Sequence, residues 1–332
     1  MQQAQTIPHD ALVVGVDVGG TKIAAGVVDT QGNVHGRIKI TTDTSTPERT
    51  LSSIAQGVRS AVQATGVTME QVHAVGLGIP GMVDPAQGIC QISVNLGWQN
   101  VEVRSWLERE LQLPCAIEND VSAAALGESI YGVSKGLDNM VYLSLGTGIA
   151  TRAIINGKLY RGAHGMAGEI GHASFNPTGP LCRCGGRGCL EALAAGPALA
   201  LRAQDELRSG KSSLLRDLIG KQPLENLRSE DVFEAARKGD ALATKILREA
   251  GQYLAYGIYL LSMSLDPQIV IIGGGLAVEG SPLIEAIHEG VTRWLENSPI
   301  FREMSGLNLL RLSSLQHDAG ITGAAALITS AH

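Results

Sequence analysis

A chain of 332 residues, 44% of them hydrophobic, has the material for two α/β lobes rather than one core. Its formal net charge of -6, with no run of Lys or Arg, speaks against a nucleic-acid partner. The opening Met1–Asp10 lacks the basic-then-apolar order of an export signal, and no uncharged apolar stretch reaches the roughly 18 residues of a membrane span, so a cytoplasmic location is expected.

The pattern predicts a strand over Leu12–Asp17, the turn Gly19-Gly20-Thr21-Lys22, and a second strand over Ile23–Val28 that ends at Asp29–Asn33. Leu51, Ile54, Ala55, Val58, Ala61 and Val62 recur at helical spacing, which predicts an amphipathic helix over Leu51–Ala64. A strand at Val72–Ile79, a helix within Val101–Leu111, a strand at Pro114–Glu118 and a helix at Val121–Tyr131 follow. At Val141–Leu145, Gly146-Thr147-Gly148 and Ile149–Ile155 the opening strand, glycine turn and strand return. Two halves that open alike suggest two related lobes enclosing a cleft. Helices across Pro197–Gly251, a long apolar helix over Gln252–Leu265, a buried strand at Gln268–Ile272 and a small-residue helix at about Gly320–Thr329 complete an α/β chain.

The glycine turns raise the question of phosphate. Gly20-Thr21-Lys22 is followed by β-branched, strand-like sequence, so it is not a P-loop, which needs a helix there. Gly76-Leu77-Gly78-Ile79-Pro80-Gly81 fits the loose dinucleotide pattern, but Pro85, Gly88 and a strand-like Ile89–Val94 stand where a helix should begin. What remains is a hairpin whose backbone amides, with the Thr21 hydroxyl, can face phosphate oxygens, preceded by Asp17 as a candidate holder of the Mg2+ of a nucleotide. The alternative is a tight hairpin with Asp17 bonded to its own turn. Gly146, Thr147 and Gly148 would form a second phosphate turn. Gly273-Gly274-Gly275 either lets adenosine lie against backbone or is an ordinary strand-to-helix turn.

Glu118-Asn119-Asp120 follows a strand and opens a helix. Asn119 or Asp120 can cap that helix, and a carboxylate at a helix N-terminus stays ionised and can take a proton from a sugar hydroxyl. Carboxylates and amides such as Glu169, Glu191, Asn95 and Asn119 suit a ring of hydroxyls. Trp98 is read as core rather than as a sugar platform. Among five cysteines, Cys90 and Cys115 read as small core residues, while Cys182, Cys184 and Cys189 with His172 give a Cys3His set that favours a structural zinc over unrelated buried thiols.

Taken in order, these stretches resemble the ROK family (repressors, open reading frames, kinases), most closely its glucokinase-like sugar kinases. The resemblance rests on Asp17-Val-Gly-Gly-Thr-Lys22, Gly78-Ile-Pro-Gly81, Asn95-Leu-Gly-Trp98, Glu118-Asn-Asp120, Gly165–His172, Cys182–Glu191 and Gly273–Gly275, and it spans about residues 11–330. It implies an actin-like, hexokinase-type fold with ATP, Mg2+ and a hexose in the cleft. The expected lobes are 1–119, completed by 318–332, and 120–317 with the zinc loop. It implies Asp120 as catalytic base. Gly78, Asn95, Asn119, Glu169, His172 and Glu191 would surround the sugar, with one ring nitrogen of His172 for zinc and one for sugar, and the chain would form a homodimer or homotetramer.

One departure stands out. Family members often continue with glycines after Gly146-Thr-Gly148-Ile149, where Ala150-Thr151-Arg152 follow here; Arg152 either points at phosphate and helps bind ATP or, as expected, points outward as a strand residue. The activity expected is ATP-dependent phosphorylation of glucose. The alternatives are an N-acetylmannosamine or N-acetylglucosamine kinase, another donor such as polyphosphate or ADP, and a non-enzymatic sugar sensor. With Asp17 only seventeen residues in, no room is expected for a repressor's helix-turn-helix.

Overall fold

The computed structural model describes residues 12–305 and 309–329; Met1–Asp10 and the last three residues of the 318–332 segment lie outside them. Two compact units emerge: residues up to Asp138 with Arg152–Ala167 and the chain from Ser313 on, and Asn139–Thr151 with Gly168–Leu312.

The first unit begins with β1 (Leu12–Val18), β2 (Lys22–Val28) and β3 (Val34–Thr41), joined by tight turns. Helix α1 (Pro47–Thr65) starts one turn earlier than its apolar stripe suggests. There Thr46 accepts a hydrogen bond from Arg49 N and Pro47 presets the first helical φ; Gly66 in the left-handed region ends the helix. Next come β4 (Val72–Ile79), a small antiparallel sheet of β5 (Met82–Asp84), β6 (Ile89–Ser93) and β7 (Trp98–Val101), then α2 (Val103–Leu111), β8 (Cys115–Asn119) and α3 (Asp120–Ile130). Strands β5 and β6 occupy the place where a dinucleotide fold needs a helix, so that reading falls away.

The first five-stranded sheet has the order β3-β2-β1-β4-β8. Val14, Val16 and Val18 of β1 join the core formed with Leu51, Ile54 and Val58 of α1 and Leu107 of α2, whereas Val13 packs with Ile321 and Ala325. Those last two lie on α11 (Ala319–Thr329, numbered after the helices given next), which is built of small residues for a reason of space. A Cβ on Gly15 or Gly76 would stand 1.9 or 1.8 Å from a carbonyl oxygen of that helix, so helix and strands meet backbone to backbone. The same helix meets α3, where Gly127 faces Gly323. For that reason α3 groups with the first unit, and the boundary expected at residues 119 and 120 falls inside it.

The chain continues through β9 (Met140–Leu145), β10 (Ile149–Ile155), β11 (Lys158–Tyr160), α4 (Leu190–Ala194), α5 (Gly196–Arg208), α6 (Leu215–Ile219) and α7 (Ser229–Arg237). It then forms α8 (Ala241–Leu265), β12 (Ile269–Gly273), α9 (Pro282–Asn297), α10 (Pro299–Ser305) and β13 (Leu310–Leu312) before α11. The second large sheet, β11-β10-β9-β12-β13, repeats the order of the first, strand for strand. The repeat read from the glycine turns is therefore a repeat of topology. One boundary differs from expectation: α8 runs unbroken through Gly251. That glycine is kept by packing, since a Cβ there would come within 2.6 Å of Leu283 O and 2.7 Å of Ala286 Cβ on α9.

Candidate active site

In the first unit, register puts the chemistry in one row. Asp17 of β1 is opposite Gly78 of β4, and Gly78 is opposite Glu118 of β8, all at the carboxyl ends of three neighbouring parallel strands. Open α/β sheets bind ligands at such ends. The glycine hairpin is closed by Gly19 N donating to Lys22 O at 3.0 Å and braced by the Thr42 hydroxyl on Gly19 O at 2.7 Å; Thr21 and Lys22 are exposed. A Cβ on Gly20 would stand 2.8 Å from Asn95 O, which brings Asn95, itself exposed, beside the hairpin.

The Asp17 carboxyl sits against the start of α11, where a Cβ on Gly320 would meet its Cγ at 2.6 Å. Burial first, and then the like charge of Asp120, raise its pKa to about 6, with Lys39 opposing. Two carboxylates crowded in this way favour a cation between them, so Asp17 fits the role of Mg2+ holder.

Asp120 is the first residue of α3 and half-buried, one of its oxygens accepting from Val121 N at 2.9 Å. Asn119 is the N-cap: its Oδ1 accepts from Ser122 N at 3.1 Å while its Nδ2 donates to Gly81 O at 3.1 Å. Capping is thus the work of Asn119, and the Asp120 carboxylate stands at a positive helix end. Gly78 lies against it, 3.3 Å separating a Cβ there from Asp120 Cα. Trp98 is 2% exposed and belongs to the core. Arg152 does not point outward as expected. It is 6% exposed and donates to Ser122 Oγ, Asn119 Oδ1 and Ala167 O.

In the second unit, Gly146 N donates to Gly148 O at 3.0 Å, and Gly146 O accepts from Gly196 N at 2.9 Å. Glu191 closes on this turn, its Oε2 accepting from Ile149 N at 3.1 Å. Gly146, Thr147 and Gly275 line a cavity of about 810 Å³ whose walls include Pro197, Gln204, Asn226, Phe233, Glu279 and Pro282. None of these six was named from sequence as a site residue. They come from four separate segments, and only the glycine turns carried a signal. Gly273 and Gly274 are also required by the chain's own packing: a Cβ on the first would meet the Tyr142 hydroxyl at 2.1 Å, and the second has φ +90° against Leu145 O.

The loop after Gly168 is held by its own backbone. Thr151 N donates to Gly168 O, Phe175 N to Gly188 O and Cys182 N to Gly186 O, each at 2.8 Å. Glu169 is half-buried, and its carbonyl accepts from His172 N. His172, Cys182 and Cys184 put their donor atoms within 4.8 Å of one another, with His172 Nδ1 3.9 Å from Cys182 Sγ. Cys189 Sγ is 3.6 Å from Cys184 Sγ. One nitrogen and three sulfurs so gathered fit a tetrahedral zinc, and Nδ1 facing the sulfurs leaves Nε2 for another partner. Cys90 and Cys115 are buried apart from this cluster, and burial pushes their thiols up to about 11 and 12.

An α/β chain with two sheets of one strand order, each headed by a glycine hairpin, has the actin-like ATPase, hexokinase-type fold. It belongs to the ROK family, whose model matches residues 13–331. It is 36% identical over 318 residues to the glucokinase of Streptomyces coelicolor, covering 95% of this chain and 97% of that one. To the glucokinase of Thermotoga maritima it is 34% identical over 320 residues, 95% and 96% of the two chains. The crystal structure of a ROK family glucokinase from Streptomyces griseus, in complex with glucose and AMPPNP, matches with a TM-score of 0.83 at 35% identity, covering 96% of this chain and 99% of that chain. Among the described residues no helix is long and apolar enough to cross a membrane.

Proposed function

We propose that this chain is an ATP-dependent glucokinase that converts glucose to glucose 6-phosphate, serving carbohydrate metabolism and glycolysis in the cytoplasm as a homodimer or homotetramer. The observation that carries the reading is the likeness, over 96% of the chain, to a ROK glucokinase solved with glucose and AMPPNP. The units are read as the two lobes of a kinase.

Asp120 accepts the proton of the attacking sugar hydroxyl, its charge kept by the N-terminus of α3. Asn95, Asn119, Glu169, His172 and Glu191 orient the sugar by hydrogen bonds, beside the chain at Gly78. The hairpins at Gly19–Lys22 and Gly146–Gly148, together with Gly273–Gly275, take the nucleotide, and Asp17 holds its Mg2+. Transfer of this kind depends on placement and charge neutralisation more than on covalent help from the protein. Zinc on His172, Cys182, Cys184 and Cys189 holds the loop that carries Glu169 and Glu191. A coupled ADP-release assay across glucose, mannose, fructose, N-acetylglucosamine and N-acetylmannosamine tests this. The highest kcat/KM on glucose supports it, and a preference for an N-acetylated hexose overturns the choice of sugar.

A further inference from the structure

The β10–β11 hairpin carries two arginines that converge on the residues around Asp120. Arg152 lies on β10. Its Nε donates to Ser122 Oγ at 3.0 Å, its Nη2 to Asn119 Oδ1 at 3.2 Å and its Nη1 to Ala167 O at 3.3 Å. Arg161, just after β11, places Nε and Nη2 on Glu118 Oε2 at 3.0 and 2.7 Å. The other oxygen of that buried carboxylate accepts from Asn119 N at 2.9 Å. The segment closes on itself, Ala167 N donating to Arg161 O at 3.1 Å. Glu118, Asn119 and Ser122 are therefore each tied to a guanidinium, and Asp120 stands among them.

We propose that Arg152 and Arg161 form a two-arginine clamp that positions Asn119 and Asp120 for the sugar. The inference rests on the glucokinase reading for the roles of those two residues. Burying a guanidinium is costly unless its donors are used, and replacing a buried charge with apolar side chains often stabilises a fold. A packing purpose alone would be better met at position 152 by an aliphatic side chain, as at Ile149 and Ile154 of the same strand. What Arg152 adds is direction. Its donor fixes the Asn119 amide with oxygen toward the cation and Ser122 N, so that Nδ2 must face Gly81 O. The rigid fork also spans Asn119 and Ser122, setting how β8 turns into α3 and thus where the Asp120 carboxylate sits. Lysine can carry the charge but cannot bridge three acceptors in a plane.

The test compares Arg152→Met and Arg152→Lys with the wild type in steady-state kinetics, ATP binding by calorimetry without sugar, and thermal melting. For the methionine variant the hexose KM rises on the order of tenfold to a hundredfold, as loss of a bond to a charged group predicts, and kcat falls. ATP affinity stays within about twofold because none of the three glycine turns given to the nucleotide is altered. Arg152→Lys recovers part of both losses. A methionine variant with wild-type KM and kcat overturns the clamp. So does a lower melting temperature with reduced active fraction but unchanged KM, which would mark Arg152 as structural only. Should the methionine variant not fold, the lysine variant decides: wild-type kinetics there overturn the proposal, and a raised KM supports it. The comparison is made on whichever hexose the wild type uses, so an error in the choice of sugar leaves this result readable.

Discussion

At the residue scale the reading turns on two carboxylates with different duties. Asp120→Asn keeps size and polarity but removes the charge that accepts a proton, so kcat should fall by about two to four orders of magnitude with glucose affinity largely retained. Stopped-flow or coupled kinetics with a separate binding measurement check it; near-normal turnover removes Asp120 from the mechanism. Asp17 has its pKa raised to about 6 from 3.8. The folded apo-protein therefore holds this proton more tightly than the unfolded chain does. Its ionised form costs stability at neutral pH, and that cost shrinks as pH falls through 6 toward 4. Asp17→Asn should then melt a few degrees above the wild type near pH 7.5, with the gap narrowing by pH 5, and should bind Mg-ATP more weakly. A gap that widens on acidification contradicts the assignment. The place of Asp120 at the start of α3 was legible, because Asn-Asp directly after a strand marks a helix N-terminus. The true direction of Arg152 was not. Strand alternation says which face a side chain leaves from, and nothing about a buried acceptor on Asn119 waiting for it.

At the element scale, patterns with one strong period or a clear cap were readable, as β4 shows by matching its expected Val72–Ile79 bounds. Strand β3 was passed over although Val34, Ile38 and Ile40 alternate with His35, Arg37 and Lys39: Gly36, at φ +57°, interrupts the run where the register against β2 shifts, and an interior glycine reads in sequence as a turn. Helix α8 was cut at Gly251 because a glycine that makes room for a neighbouring helix looks, in sequence, like one that ends its own. Close approach also gives a test: Gly76→Ala would drive a methyl into Ala324 O and should destabilise the first unit by about 1–3 kcal/mol or more by denaturant titration. The loop from Gly168 to Glu191 has its own test. Metal analysis should give about one zinc per chain in the wild type and much less in Cys184→Ser. Both ends of the loop should then loosen, abolishing glucose affinity while ATP still binds. Zinc loss with unchanged glucose affinity would make the metal a remote staple.

At the scale of the whole molecule, the repeated strand order was foreshadowed by two glycine hairpins, since a hairpin and the parallel strand beside it fix most of a five-stranded sheet. The cavity in the second unit was not foreshadowed: its walls come from α5, α7 and the segments around Glu225 and Glu279, which only folding brings together. The row of candidate residues in the first unit was easier to place because those residues fall into short runs at strand ends. The claim that joins these parts is that the chain transfers the γ-phosphoryl group of ATP to glucose. Incubation of the purified wild type with γ-labelled ATP, Mg2+ and glucose, followed by isolation of the sugar product, measures this directly. Label on the 6-hydroxyl of glucose, formed about a hundredfold or more slowly by Asp120→Asn, is the predicted result; product formed by that variant at a near wild-type rate, or none from the wild type, contradicts it.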